Sequence, residues 1–432
     1  MDLAWISLTA LMLVILASCF TKINPGLLSI VFAWLIAVGI GPAFGQAIGS
    51  KEVFAGFPIR LFLTLVGVTL FFTQAQLNGT LERVAQVAVL VCRGNAGLVP
   101  VMFFFFALCF AAIGAGNIAA AALIGPLAMA AAQRQKIPAF LMTIMVAHGA
   151  IAGALSPISP TGLIVRDKLE TEGITGLEGA SFINNMVPNI IVAFGGYLLF
   201  GGLKLLVREE CPPESHDESD KAAWKHFQIA HWMTLALIAV LLVSVIFLQP
   251  LVTSDALGFI AAASMTASVI LTLAGLADQG EALRRIPWSV ILMVCGVTVL
   301  TALMEKTEGL KLLAGLIGVV SNAQTVMGVV AFTCGVISVY SSTSGVVLPA
   351  FLPMIDDLCS QVPGADKLAL ASSMIVGGHM VDSSPLSTIG ALCIASAPAE
   401  EDRRALFNKV LAWGLSMAVV GAVVCYVLFG LL

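Results

Sequence analysis

Two short clusters of hydroxyls and prolines interrupt long apolar runs: Ser156-Pro157-Ile158-Ser159-Pro160-Thr161-Gly162 and Asp382-Ser383-Ser384-Pro385-Leu386-Ser387-Thr388. Proline removes a backbone donor and clashes with the preceding turn, so a helix must unwind there and leave carbonyls and amides seeking partners. Such groups are ready ion ligands, and Asp382 adds a carboxylate able to ligate Na⁺ or carry a proton, since hard cations prefer oxygen. Asp382 also reads, compatibly with that role, as the cap of a following half-helix, helped by Ser383 and Ser384. His148 and His379 lie just before the two clusters. Each is either a candidate proton relay or a buried, hydrogen-bonded structural residue.

A second pair of interruptions, Gly114-Ala115-Gly116-Asn117 and Ser341-Ser342-Thr343-Ser344-Gly345, splits the apolar stretches 97–132 and 324–359. All four breaks create helix N-termini, whose free amides and positive dipole ends attract anions. Asn117, Ser156, Ser159, Thr161, Thr343, Ser344, Ser384, Ser387 and Thr388 supply neutral donors beside them, and no lysine or arginine falls inside the clusters. A small anion held by amides, hydroxyls and dipoles, with cations balancing its charge, fits this chemistry. Close helix packing also favours small and hydroxylated residues. It leaves unexplained why prolines and polar groups recur at matching places in both halves.

The elements that position these clusters follow from composition. Of 432 residues 59% are hydrophobic and 11% charged, and the mean hydropathy is +1.01. Soluble domains carry about 25% charge, so a polytopic, all-α membrane protein is expected. Spans are expected at 3–20, 26–45, 58–77, 138–165, 183–206, 230–249, 256–276, 287–304, 367–397 and 407–431, making ten crossings in the lipid bilayer. The stretches 97–132 and 324–359 are too long for one crossing and broken in the middle, so each reads as a re-entrant hairpin. Stretches 79–93 and 308–320 read as interfacial helices or as surface loops.

Laying the second half on the first with a shift of 227 to 229 residues aligns Trp5 with Trp232, Pro58 with Pro287, Pro126 with Pro353, and Ser156-Pro157 with Ser384-Pro385. The near-constant register indicates a duplication, 1–206 and 227–432, joined by the polar connector 207–226. A unit with an odd number of crossings inverts its copy, and inverted repeats with broken helices are the mark of secondary transporters. Under this topology 14 of the 21 lysines and arginines fall on the connector's side, which predicts a cytoplasmic connector and external termini.

Leu16-Ala17-Ser18-Cys19 has the look of a lipoprotein cleavage site, but Asp2 stands where a signal peptide would be basic, so an uncleaved first helix is expected. The nine cysteines show no metal-ligand spacing. A net charge of −4 offers no basic face for nucleic acid. With no HExxH, GxSxG or Walker pattern, the chain reads as a non-enzyme without a cofactor, its coupling ion Na⁺ or H⁺.

The chain resembles the MatC-like malonate and dicarboxylate carriers of the ion-transporter superfamily, relatives of the divalent anion/sodium symporters. The likeness rests on Thr21-Lys22-Ile23-Asn24-Pro25-Gly26, Phe62 to Thr69, Gly116-Asn117-Ile118-Ala119-Ala120, and Gly153 to Gly162. It implies a scaffold domain around a transport domain that moves elevator-fashion, in the inner membrane of a bacterium, as a homodimer. It places the substrate on the tips Gly116-Asn117-Ile118 and Thr343-Ser344-Gly345 and on the loops holding Ser156, Pro157, Ser159, Pro160, Thr161, Ser384, Pro385, Ser387 and Thr388. The cation falls to Asn117, Ser156, Ser344, Asp382 and Ser383. Only Asn117 keeps the relatives' residue type at a tip, and Asp382 is an extra charge that replaces one cation or makes coupling proton-dependent. The expected activity is cation-coupled symport of malonate or four-carbon dicarboxylates. An antiporter or an inorganic-anion permease on the same scaffold remains open, and an anion channel is a more distant reading.

Overall fold

A chain this apolar can satisfy its backbone in lipid only within helices or a closed barrel. The computed structural model describes residues 3–45, 48–84, 96–206, 228–253, 255–398 and 400–431, and among these every regular element is a helix. Among the described residues seven helices are long and apolar enough to cross a membrane, or eight when one bent pair is counted as a single span. The protein is a multi-pass membrane protein.

The first half contains α1 (Leu3–Phe20), α2 (Pro25–Trp34), α3 (Ile59–Leu77), α4 (Leu98–Phe110), α5 (Gly116–Arg134), α6 (Ala139–Gly153), α7 (Pro160–Thr171) and α8 (Glu178–Leu199). The second contains α9 (Ile229–Val243), α10 (Ala256–Leu273), α11 (Trp288–Lys306), α12 (Gly309–Val319), α13 (Val326–Ser338), α14 (Lys367–Met380), α15 (Thr388–Ala395) and α16 (Arg403–Cys425). Polar caps set several of the starts. Asn24 accepts from the amide of Gly26 ahead of Pro25, and Asp366 and Asp402 cap α14 and α16 in the same way.

Both long apolar stretches are broken. Gly114 (φ 113°) and Gly116 (φ 82°) take backbone conformations that side-chain-bearing residues avoid, and α4 and α5 then pack against each other. In the second half α13 meets the arm Thr343–Gln361 at 117°. The expected spans 138–165 and 367–397 each come as two short helices, α6 with α7 and α14 with α15, which is why they fall below the length of a crossing.

Packing relates the halves. α3 lies along α10 and α2 along α11, so each half contributes one helix to each pair. In the first half α6 packs on α4, and in the second α14 packs on α13. Those last two crossings use glycines 228 positions apart. A Cβ on Gly149 would fall 2.3 Å from the Phe104 carbonyl oxygen, and one on Gly377 would fall 2.2 Å from that of Ala331. The breaks behave alike, with Gly162 under the Ser156 carbonyl and Gly390 under that of Ser384. The arms cross over as well: α15 packs on α5, while α7 packs on the Leu348–Met354 stretch of the second hairpin.

The proposed connector 207–226 lies outside the described residues, as does 85–93 of the stretch 79–93. Stretch 308–320 is helical as α12, which buries Leu310, Ala314 and Ile317 and packs on α1.

Candidate functional site

Each break is built by groups acting locally: hydroxyls and prolines at three of them, glycines and an asparagine amide at the first hairpin tip. In the first broken span Ser159 accepts from the Gly162 amide at 3.2 Å, capping α7 ahead of Pro160. Its own hydroxyl turns back to the carbonyls of Ala154 and, at 3.0 Å, Ser156. At the second hairpin tip Ser342 accepts from the Gly345 amide at 3.0 Å. At the first, Asn117 Oδ1 accepts from the Ile118 amide at 2.9 Å.

The four segments touch in sequence. The first tip rests on the first break, where a Cβ on Gly116 would lie 3.2 Å from Pro160 Cδ. The first break meets the second tip through Thr161 Oγ1 and Ser344 Oγ, 3.1 Å apart. The second tip meets the second break through Thr343 Oγ1, 2.9 Å from Asp382 Oδ1 and 3.1 Å from the Gly378 carbonyl oxygen. One hydroxyl proton serves only one of those acceptors at a time, and Ser338 is a further partner of the same oxygen. Ser387 also donates to Asp382 Oδ1, at 3.2 Å.

Asn117, Ser156, Ser159, Thr161, Thr343, Asp382, Ser383 and Ser384 are buried, whereas Ile118 and Thr388 are exposed. Asp382 takes hydroxyl donors rather than capping α15, whose cap position is Ser387. Ser383 turns its hydroxyl back to the Met380 carbonyl at 2.9 Å, and the Ser384 oxygen accepts from the Leu386 amide. The site therefore offers a ring of hydroxyls and helix N-termini with one carboxylate. No lysine or arginine lies among these residues, which suits an anion accompanied by a cation.

The two histidines differ. His148 is fully buried, with Nδ1 2.9 Å from Asn189 Oδ1 and Nε2 receiving the Trp413 indole N–H at 3.0 Å. His379 is also fully buried, and among the described residues no side chain bonds its ring nitrogens.

The expected span ends at 165, with the charged run after it in an external loop. The helix continues to Thr171, with Asp167 5% and Lys168 3% exposed and their charges 3.1 Å apart. Arg166 pairs with Glu170 at 2.8 Å and with Glu178 at 3.3 Å. Charges are buried when paired. Four charged residues within 166–170, directly after an apolar run, were the available signal.

Residues 1–154 match the family described as dicarboxylate carrier protein MatC N-terminus. No curated protein sequence matches the chain. Among solved structures, the YdaH transporter of Alcanivorax borkumensis is similar with a TM-score of 0.60 and 15% identity, covering 95% of this chain and 99% of that one. Neisseria gonorrhoeae MtrF, described with a class of antimetabolite efflux pumps, aligns with a TM-score of 0.57 and 14% identity, covering 97% of each chain. At such identities the likeness is one of fold, and that fold is shared with transporters. The MatC-like region ends at Ala154, where the first broken span begins to unwind.

Proposed function

We propose that the chain is a cation-coupled secondary carrier of small dicarboxylates, malonate or four-carbon acids, in the inner membrane of a bacterium. Placement in the ion-transporter superfamily, ten crossings with two re-entrant hairpins, and elevator movement of the transport domain are parts of the same reading. So are the cytoplasmic connector and the homodimer. The observation that carries it is the contact of Thr161 with Ser344, which sets a broken span of one half against the hairpin tip of the other. Two helix N-termini and their hydroxyls then converge on one place without a fixed positive side chain. A dianion held there needs cations to balance it, and Asp382, bonded by the hydroxyl of Thr343 next to Ser344 in the chain, gives one cation or proton an anionic seat. The MatC-like match over 1–154 supports the substrate class.

The test is uptake of labelled malonate and succinate into proteoliposomes with imposed Na⁺ or proton gradients. Asn117→Ala and Ser344→Ala are expected to abolish gradient-driven uptake while leaving expression intact. Uptake by Asn117→Ala equal to that of the parent overturns the site.

A further inference from the structure

A hydrogen-bonded chain, buried except at Trp413, runs from the end of α6 beside the first break to α16, which packs on the second. It begins at Ile151, in the last turn of α6, whose carbonyl is left by the unwinding to accept from Ala154 and, at 2.8 Å, from Asn185 Nδ2 on α8. Asn189, one turn further along α8, donates Nδ2 to the Asn185 carbonyl at 2.9 Å and presents Oδ1 to His148 Nδ1 at 2.9 Å. His148 Nε2 receives the Trp413 indole N–H at 3.0 Å.

An indole nitrogen only donates, so Nε2 must carry the lone pair and Nδ1 the proton, which Asn189 Oδ1 accepts. The ring is thereby held neutral in one tautomer. The Trp413 end is anchored by its neighbour. A Cβ on Gly414 would lie 2.3 Å from Ser384 Cβ and 2.8 Å from the Ser384 amide nitrogen, so α16 is pressed directly on the second break. Asn185, Asn189 and His148 are fully buried, and His148 meets the Trp413 ring edge-on at 5.9 Å. Among the described residues the second half shows no copy of this chain of bonds. The position equivalent to His148 at a shift of 228 is Val376, and His379 makes no such bonds.

We infer that Trp413, His148 and Asn189 are positioning residues that hold the two unwound breaks in register, so that both present their amides and hydroxyls to one anion. The inference rests on the site proposed above. It gives His148 a fixed neutral role and removes it from proton transfer. A satisfied polar network of this kind specifies one arrangement of the helices that carry it.

Two experiments test it. In detergent-solubilised protein, hydrogen exchange of the amides in 154–161 and 383–388 is compared between the parent and Trp413→Phe, which keeps the ring and loses the N–H. Both loops are expected to exchange about three-fold faster or more, with α4 and α13 unchanged. Parent-like exchange in either loop overturns the proposal. This readout needs no substrate, so it stands even if malonate transport, and with it the proposed function, fails.

In proteoliposomes, Trp413→Phe and His148→Leu are expected to raise the KM for malonate about five-fold or more while Vmax stays within about two-fold. His148→Gln, whose amide can both accept from the indole and donate to Asn189 but cannot titrate, is expected to keep the parent's KM between pH about 6 and 8. His148→Gln as impaired as His148→Leu would assign the ring a proton-transfer role and overturn positioning.

Discussion

Thr161 Oγ1 lies 3.1 Å from Ser344 Oγ although 183 positions separate them in the chain. One residue opens the half-helix α7 and the other sits at the tip of the second hairpin, so this contact closes the candidate site between the halves.

Cysteines at these two positions should therefore crosslink. A disulfide needs sulfurs about 2.05 Å apart, within small side-chain adjustment of the observed spacing. With Thr161→Cys and Ser344→Cys together, mild oxidation is expected to hide both thiols from a maleimide reagent and a reductant to expose them again, whereas each single variant stays labelled under the same oxidant. A crosslinked carrier that still transports would remove the two residues from the substrate's path.

Asp382 accepts from two hydroxyls through one oxygen and has no basic partner in the site. If its charge seats the coupling cation, Asp382→Asn keeps the hydroxyl acceptor and loses the attraction. The half-saturating cation concentration for uptake is then expected to rise about ten-fold, equivalent to about 1.4 kcal/mol. An unchanged cation dependence at two pH values would leave Asp382 as a structural acceptor.

Part of this arrangement was legible in the sequence and part was not, for physical reasons. The breaks were readable because glycine and proline act locally where they cluster, as at Gly114 with Gly116 and at Pro157 with Pro160, whereas the isolated Pro126 and Pro188 stay inside α5 and α8. The partners of those breaks were not readable. Nothing at Thr161 points to Ser344, and the bonds of His148 reach 41 positions to Asn189 and 265 to Trp413, which leaves no periodic trace. The end of the first broken span was misplaced because a run of charges normally signals water. Here Asp167 and Lys168 neutralise each other inside the protein.

That ion pair yields a stability prediction. Removing one partner of a buried pair leaves an uncompensated charge and costs about 3–5 kcal/mol, whereas replacing both by apolar or neutral groups is often nearly neutral. Lys168→Met is expected to lower the denaturation midpoint of the solubilised protein sharply, and Asp167→Asn with Lys168→Met to recover most of the loss. A double variant as unstable as the single one would show that the lysine contributes through packing rather than charge.

The loop between α7 and α8 carries the last prediction. Glu172, outside the spanning helices, is half-buried, and burial first, then the carboxylates of Asp356, Glu305 and Asp357, push its pKa from 4.5 up to about 7, with Lys367 opposing. The folded state thus holds this proton more tightly than the unfolded chain. The associated stability is fully present below pH 4.5 and is lost as pH rises through about 7. These carboxylates come from α7's end, α11 and the second hairpin, so ionising Glu172 sets like charges against one another where those elements meet. The melting temperature of the detergent-solubilised protein is expected to fall between pH about 5 and 8, with Glu172→Gln flattening part of that slope. The same slope in the variant would move the titration to another group.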